Sequence, residues 1–546
     1  MRNRSFFLVK LLALILAVAV TPGEAASKNP NILLVVADDM GWTDLGSYGS
    51  EIDTPNLDML AQRGVKFSSF YTSMSCSPTR SMLLSGTDNH IAGVGNMGEL
   101  LTPEQRGKPG YEGYLNDRVV SLAEVLRDNG YHTYMAGKWH LGHEPGQIPH
   151  ARGFERSFTL LNGGASHWSD MTGLMEVETP VGYTQNGKQL DKLPGDFYST
   201  HSYTDFLIDS IRENRGDGKP FLAYLAFTTP HDPMHVPEPW LSKYRGQYDE
   251  GYDVLKDKRI AAAKKKGLVV QDAPTPERFH QVKPWKSLTK EQQALELRGM
   301  EIYAGMINNM DYHYGRIEAF LKDIGEYDNT IVIFMSDNGP NPWYSEDYPG
   351  NRGSEWFAKF DNSIENLGHP KSNYAYGPGW AEASAGPLSL FKLTVGEGGI
   401  RAPLFIDGPG VKGGRQVDSL TYVWDVMPTL LEIAGIEHPE TYKGRKVEPM
   451  RGKSLQAVLT GATTTVRDKE EFIVGEMGDV GRWIRQGDFK AVWNAPPYGD
   501  ETWRLYNIKK DPGETQDLAK THREKVKTLR EAGDRYVEGV NVITSK

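Results

Sequence analysis

The sequence contains one cysteine, Cys76, in 546 residues. A single cysteine closes no intramolecular disulfide, which excludes the disulfide framework of many small exported folds. Long hydrophobic runs are also scarce. The run Leu11–Val20 is shorter than the ~20 residues a bilayer-spanning helix needs, is preceded by Arg2 and Arg4, and is broken by Thr21-Pro22-Gly23 before the small-residue end at Ala25. This is the pattern of a cleaved signal peptide over residues 1–25, with an uncleaved membrane anchor as the lesser alternative. It predicts export to the periplasm or extracellular space and no stable membrane insertion after cleavage. Basic charge is in short supply as well. The formal net charge is −10, and cleavage removes Arg2, Arg4 and Lys10 against only Glu24. An acidic chain is ill suited to non-specific binding of nucleic acid or anionic membrane, so an anionic substrate must find its cations concentrated at one site.

What is present is a regular alternation of elements. Asn31–Ala37 (NILLVVA), Val65–Tyr71, Tyr131–Ala136, Phe221–Phe227 and Thr330–Met335 read as strands, several of them apolar on both pleat faces. Between them lie helical signals: Thr54-Pro55 as cap and first turn with Gly64 as stop, Ser121 and Glu124 as a capping box, a helix near 204–214, and Ile302, Met306, Met310, Ile317 and Leu321 at helical spacing after Lys290. Strands alternating with helices predict an α/β fold with a large, mostly parallel sheet sandwiched by helices. The charged stretch 249–284, with its Lys264-Lys265-Lys266 run, reads as a solvated surface excursion. The Gly-, Trp- and Tyr-rich stretch 340–387 has the length and composition of a loop that walls a site, and fits an ordinary surface loop equally well. Beyond about Pro439 short alternating runs and a closing charged helix from His522 to Tyr536 predict a smaller α+β domain with an antiparallel sheet. The expected organisation is a signal peptide over 1–25, a catalytic domain over 26–439 and a C-terminal domain over 440–546.

Several predicted strands end in ionisable or polar residues: Asp38-Asp39, Lys138 and His140, His231, and Asp337-Asn338. In an open parallel sheet ligands bind outside the carboxyl ends of the strands, so these groups are candidates for one crevice. Asp38, Asp39, Asp337 and Asn338 offer oxygen donors only, a set suited to a hard divalent cation such as calcium or magnesium. Taken singly, an Asp after a strand is more often a cap or turn residue than a ligand; two such pairs shift the balance. Cys76 begins a helical pattern with Pro78 in the first turn and Gly86 as stop, where free N–H groups and the helix dipole favour an anion. Arg80 returns toward the same end one turn on. Lys138 and His140 share a face if the chain stays extended. Lys392 by itself reads as a solvated lysine.

Cys76-Ser77-Pro78-Thr79-Arg80 resembles the C-x-P-x-R signature of Cys-type sulfatases, whose cysteine is oxidised to formylglycine. It occurs with Asn31–Gly41 (NILLVVADDMG), Gly137–Gly142 (GKWHLG), Ser336–Gly339 (SDNG) and Gly396–Pro403 (GEGGIRAP) in the family's order, and the similarity runs over essentially the mature chain, most closely to bacterial arylsulfatases. The resemblance implies an alkaline-phosphatase-like fold and a sulfuric ester hydrolase acting on aryl or related sulfate monoesters. It implies one Ca2+ ion held by Asp38, Asp39, Asp337, Asn338 and the modified Cys76. Arg80 would support the formylglycine, Lys138 and Lys392 would clamp the sulfate, His140 would act on the formylglycine hydrate and His231 would protonate the leaving group. A formylglycine-generating or radical maturation enzyme is the implied partner. Two alternatives stand beside this reading: a formylglycine-dependent phosphonate or phosphate ester hydrolase on the same scaffold, and a non-enzymatic binder of sulfated ligands. A metal-independent Cys–His hydrolase would leave the aspartate pairs and the lysines without a use.

Overall fold

The computed structural model describes residues 29–544; the predicted signal peptide lies outside the described residues. The central strand is β1 (Asn31–Ala37). After it come β2 (Val65–Tyr71), β3 (His132–Lys138), β4 (Arg156–Leu160), β5 (Tyr183–Gln185), β6 (Lys188–Leu190), β7 (Phe221–Ala226), β8 (Thr330–Ser336), β9 (Arg401–Asp407) and β10 (Arg415–Val417). They line up in the order β10-β2-β9-β8-β1-β7-β3-β4-β5-β6, with Thr421–Tyr422 also pairing to β2. The middle of this sheet, from β8 through β1, β7 and β3 to β4, is parallel. The strand β9 runs antiparallel between β2 and β8.

Alternation along β1 explains why the strand is apolar from Ile32 to Ala37. Leu33, Val35 and Ala37 enter one core, and Ile32, Leu34 and Val36 enter another on the opposite face. Helices Pro55–Arg63, Ser199–Glu213 and Lys290–Asp323 supply side chains to the first core; Cys76–Ser85, Leu122–Asp128 and Val426–Ala434 supply the second. With both faces covered, every residue of the strand gains by being apolar.

The four-stranded antiparallel sheet, Phe472–Met477, Gly481–Gln486, Phe489–Asn494 and Arg504–Asn507, is C-terminal and covered by helix Arg523–Val540. Its two faces divide cleanly. Val474, Ile484, Ala491 and Leu505 make a small core with Leu529 and Ala532 of the helix, whereas Ile473, Trp483, Val492 and Tyr506 join the second core of the large sheet.

Three local expectations are corrected. Residues 249–284 are no simple solvated excursion: they contain helix Tyr252–Lys265, whose Arg259 is fully buried against Asp44 and Glu51. Arg259 is neutralised inside the fold, whereas Lys265 and Lys266 of the lysine run are exposed. Thr54 makes no side-chain cap for helix Pro55–Arg63. Its hydroxyl accepts instead from the Gly46 N–H, at 3.0 Å, and the N–H groups of Asn56 and Leu57 donate to the Asp311 carboxylate. The stretch 340–387 is not all loop, because Gly377–Ala385 is helical.

Candidate active site

The parallel strands deliver the site. Asp38-Asp39 follow β1, Asp337-Asn338 follow its neighbour β8, Lys138 ends β3, and His231 lies just beyond β7. Cys76 is the first residue of the fully buried helix Cys76–Ser85, so its Sγ faces this cluster, 3.5 Å from Asp38 Oδ1 and 3.5 Å from Asp39 Oδ1. Ligand-capable atoms of Asp38, Asp39, Cys76 and Asp337 lie within 4.8 Å of one another. Asn338 Nδ2 donates to Asp39 Oδ1 at 2.7 Å and to the Gly339 carbonyl at 2.8 Å, which fixes the amide orientation and leaves its buried Oδ1 without a hydrogen-bond partner among the described residues. A buried acceptor left open beside three carboxylates is what a hard cation's ligand set requires. The residues present fit a divalent metal.

The carboxylates are surrounded by cations. Lys138 Nζ bridges both oxygens of Asp38 at 2.8 Å. Lys392 Nζ is 2.7 Å from Asp39 Oδ2, and the Arg80 guanidinium takes Asp337 Oδ2 through Nε and Nη2 at 2.9 and 2.8 Å while Nη1 donates to the Lys138 carbonyl. Burial alone would raise Asp38, but Lys138, His231 and Arg80 outweigh it and hold it below the ordinary carboxylate range. Asp39 is lowered in the same way, Lys392 and His231 overcoming burial, while burial raises Asp337 in spite of Arg80. The Cys76 thiol is pushed well above its ordinary value by burial, which Lys138 and Lys392 only partly offset. As a thiol, therefore, Cys76 is protonated and a poor nucleophile at neutral pH.

Two histidines complete the crevice. His231 Nε2 sits 3.3 Å from Asp39 Oδ2 and 3.5 Å from Lys392 Nζ, and its Nδ1 meets the Asp232 carbonyl at 2.7 Å. His140 does not share an extended face with Lys138, because its backbone turns left-handed (φ 56°). The turn carries the ring to Glu99, whose Oε1 lies 3.1 Å from His140 Nε2. Left-handed backbone at Asp39 (φ 63°), His140 and Leu393 (φ 63°) clusters beside the chemistry, where the surrounding structure must impose it. Gly163 leaves room for this arrangement, since a Cβ there would come within 2.8 Å of the His140 ring.

All ten residues singled out from sequence, Asp38, Asp39, Cys76, Arg80, Lys138, His140, His231, Asp337, Asn338 and Lys392, come together around this crevice. Sequence reasoning missed Glu99, which lies in the short 3-10 turn Gly98–Leu100 with no motif around it. It also missed a buried latch behind Lys392. Lys490 Nζ, from the antiparallel sheet, contacts Glu397 Oε1 at 2.9 Å, Glu514 Oε1 at 3.0 Å and the Val395 carbonyl at 2.7 Å. Lys490 is fully buried within its strand, and no sequence pattern around it marks it as such.

The oxygen-donor cluster that can hold a divalent cation, the N-terminus of helix Cys76–Ser85 and the two histidines lie at the carboxyl ends of parallel strands, where open α/β sheets bind ligands, on a sheet of alkaline-phosphatase-like architecture. Residues 30–436 match the sulfatase family model, and residues 390–533 match the model described as N-sulphoglucosamine sulphohydrolase, C-terminal. The chain is 43% identical over 534 residues to an uncharacterized sulfatase of Schizosaccharomyces pombe, covering 96% of each, and 41% identical over 440 residues to the arylsulfatase of Klebsiella aerogenes, covering 80% of this chain and 93% of that one. The solved structure of Ps i-CgsB with bound neocarrahexaose superposes with a TM-score of 0.64 at 22% identity, covering 93% and 92% of the two chains. The chain belongs to the sulfatase family and is a sulfuric ester hydrolase.

Proposed function

We propose that the protein is an exported arylsulfatase-type enzyme that cleaves aryl or related sulfate monoesters with a formylglycine made from Cys76 and one calcium ion. The observation that carries this reading is the cluster of Asp38, Asp39, Cys76 and Asp337 ligand atoms within 4.8 Å, with Asn338 Oδ1 open beside it. The Cys76-Ser77-Pro78-Thr79-Arg80 pattern supports oxidation of the cysteine, and the arylsulfatase relative supports the substrate class. Oxidised by a maturation enzyme, Cys76 would supply an aldehyde hydrate with two hydroxyls, one to attack sulfur as the alcohol leaves and one whose deprotonation would restore the aldehyde as the C–O bond to sulfate breaks. A bound calcium ion supplies positive charge to the sulfuryl oxygens and acidifies the attacking hydroxyl.

The chain's own residues do the rest. Lys138 and Lys392 bring ammonium groups to the same oxygens, and Arg80 holds the base of the nucleophile's helix against Asp337. His231 delivers a proton to the bridging oxygen as the sulfur–oxygen bond breaks, which matters most for alcohols that are poor leaving groups. His140, donating Nε2–H to Glu99, keeps its Nδ1 lone pair for the hydrate proton. The leader pattern at residues 1–25 supports export. Among the described residues no helix is long and apolar enough to cross a membrane.

The test is mass analysis of the Cys76 peptide together with turnover of 4-nitrophenyl sulfate and a nitrophenyl phosphonate ester. Aldehyde at Cys76 with preferred sulfate turnover is expected. An unmodified thiol in fully active enzyme would sink the mechanism, and preferred phosphonate turnover would sink the substrate class.

A further inference from the structure

Above Cys76, His140 and His231 opens a cavity of about 400 Å³. Leu174 and Met175 of one loop pack against Tyr348 of another in an apolar cluster separate from the main cores, with Trp343 against it. Asn351 Nδ2 ties the two loops together through the Leu174 carbonyl at 2.9 Å. Val177 continues this wall at the mouth and is 89% exposed, one of only three large hydrophobic side chains exposed among the described residues. A single exposed valine is ordinary, but this one extends an apolar path that runs down to the nucleophile.

Charge on the same cavity is one-sided. Among the described residues that line it, Lys392 at the floor is the only lysine or arginine; the walls carry Glu99 and Glu178. A saccharide bearing several sulfates would bring its further anions to carboxylates where it needs guanidinium or ammonium groups. The volume adds a size argument, since a cavity of about 150 Å³ already holds benzene.

We propose that the site selects sulfate monoesters of extended apolar alcohols or phenols, larger than one ring and carrying no second anionic group, with Leu174, Met175 and Val177 gripping the apolar part and Glu99 and Glu178 rejecting added anions. This rests on the hydrolase reading above and narrows it. Burial and the nearby Glu99 raise Glu178 to about 7, so it discriminates more strongly as pH rises above neutrality. Tyr348 also couples this wall to the chemistry: its hydroxyl, at 3.2 Å, and Asn341 Nδ2, at 2.7 Å, both donate to Asp232 Oδ1, on the residue next to His231.

The experiment is a homologous series from butyl to dodecyl sulfate below micellar concentration, run beside 4-nitrophenyl sulfate and a nitrophenyl sulfate bearing a carboxylate. With the mature enzyme kcat/KM is expected to rise by about fourfold per methylene until the cavity is filled, and the carboxylated substrate to be poorer by about tenfold or more. Val177→Asp is expected to lower kcat/KM for dodecyl sulfate more than for butyl sulfate, and Glu178→Lys to narrow the gap against the carboxylated substrate. A flat or falling series, or equal turnover of the carboxylated substrate, overturns the inference while normal 4-nitrophenyl sulfate turnover leaves the hydrolase reading standing. Failure to turn over any sulfate with Cys76 oxidised overturns both.

Discussion

Glu99 Oε1 accepts from His140 Nε2 at 3.1 Å, and the other ring nitrogen, Nδ1, is buried with no hydrogen-bond partner among the described residues. The carboxylate thus selects the tautomer: Nε2 carries the proton and Nδ1 the free lone pair. Burial lowers His140 and the Glu99 charge partly restores its affinity for a proton. Glu99→Gln keeps a polar partner but removes that charge, so His140 protonates at lower pH. We expect kcat to fall by about ten- to hundredfold and the acid limb of the pH–rate profile to move to lower pH; a limb that stays in place would show that Glu99 does not act through His140.

The open Asn338 Oδ1 predicts how the metal site responds to loss of one neutral ligand. Asn338→Ala should weaken divalent-cation affinity, read by calorimetric titration of chelator-treated protein, with Asp38, Asp39 and Asp337 still in place. Chelation of the native protein should lower both turnover and the melting temperature, and calcium should restore both. Undiminished turnover after exhaustive chelation would remove the metal from the mechanism.

Lys490 ties the antiparallel sheet to the segment that carries Lys392. Lys490→Met strands Glu397 and Glu514 in the interior with their main cation gone, a loss of about 3–5 kcal/mol. The expected result is a lower denaturation midpoint, together with a higher KM for 4-nitrophenyl sulfate as the Lys392 segment loosens. An unchanged midpoint would contradict the latch.

Acid stability follows from two buried imidazoles. Burial and the facing His167 hold His235 at about 3, and burial holds His167 at about 4. Both are neutral in the fold, whereas the unfolded chain takes up their protons below about 6.5. Their contribution is therefore fully present above that pH and is lost as pH falls toward 4 and then 3, at roughly 1.4 kcal/mol per pH unit for each. Urea midpoints measured at pH 7 and pH 5 should show the loss, and His235→Gln should flatten it.

Most of the candidate-site residues were legible in sequence because they follow strands whose buried, two-faced apolar pattern is itself legible; Lys392, in a loop, was singled out only by the family resemblance. Asp38-Asp39 and Asp337-Asn338 follow such strands directly, and the parallel pairing of β1 with β8 makes them neighbours. Cys76 was legible as a helix start. Helix Pro55–Arg63 shows the limit: its proline and its glycine stop mark the ends, yet its cap is Asp311, 255 positions away from Asn56. Arg259 was equally hidden, because a charge run reads as solvated until its partners Asp44 and Glu51 are brought to it.

The sequence by itself determined the alternation of strands and helices, the oxygen-donor set and the single cysteine at a helix N-terminus, since these depend on local periodicity and residue chemistry. Only the tertiary structure decided that His140 turns to Glu99, that Lys490 braces the Lys392 segment, and that Leu174, Val177 and Tyr348 line one apolar cavity. Those relationships join segments far apart in the chain, and no local pattern specifies which distant surfaces meet.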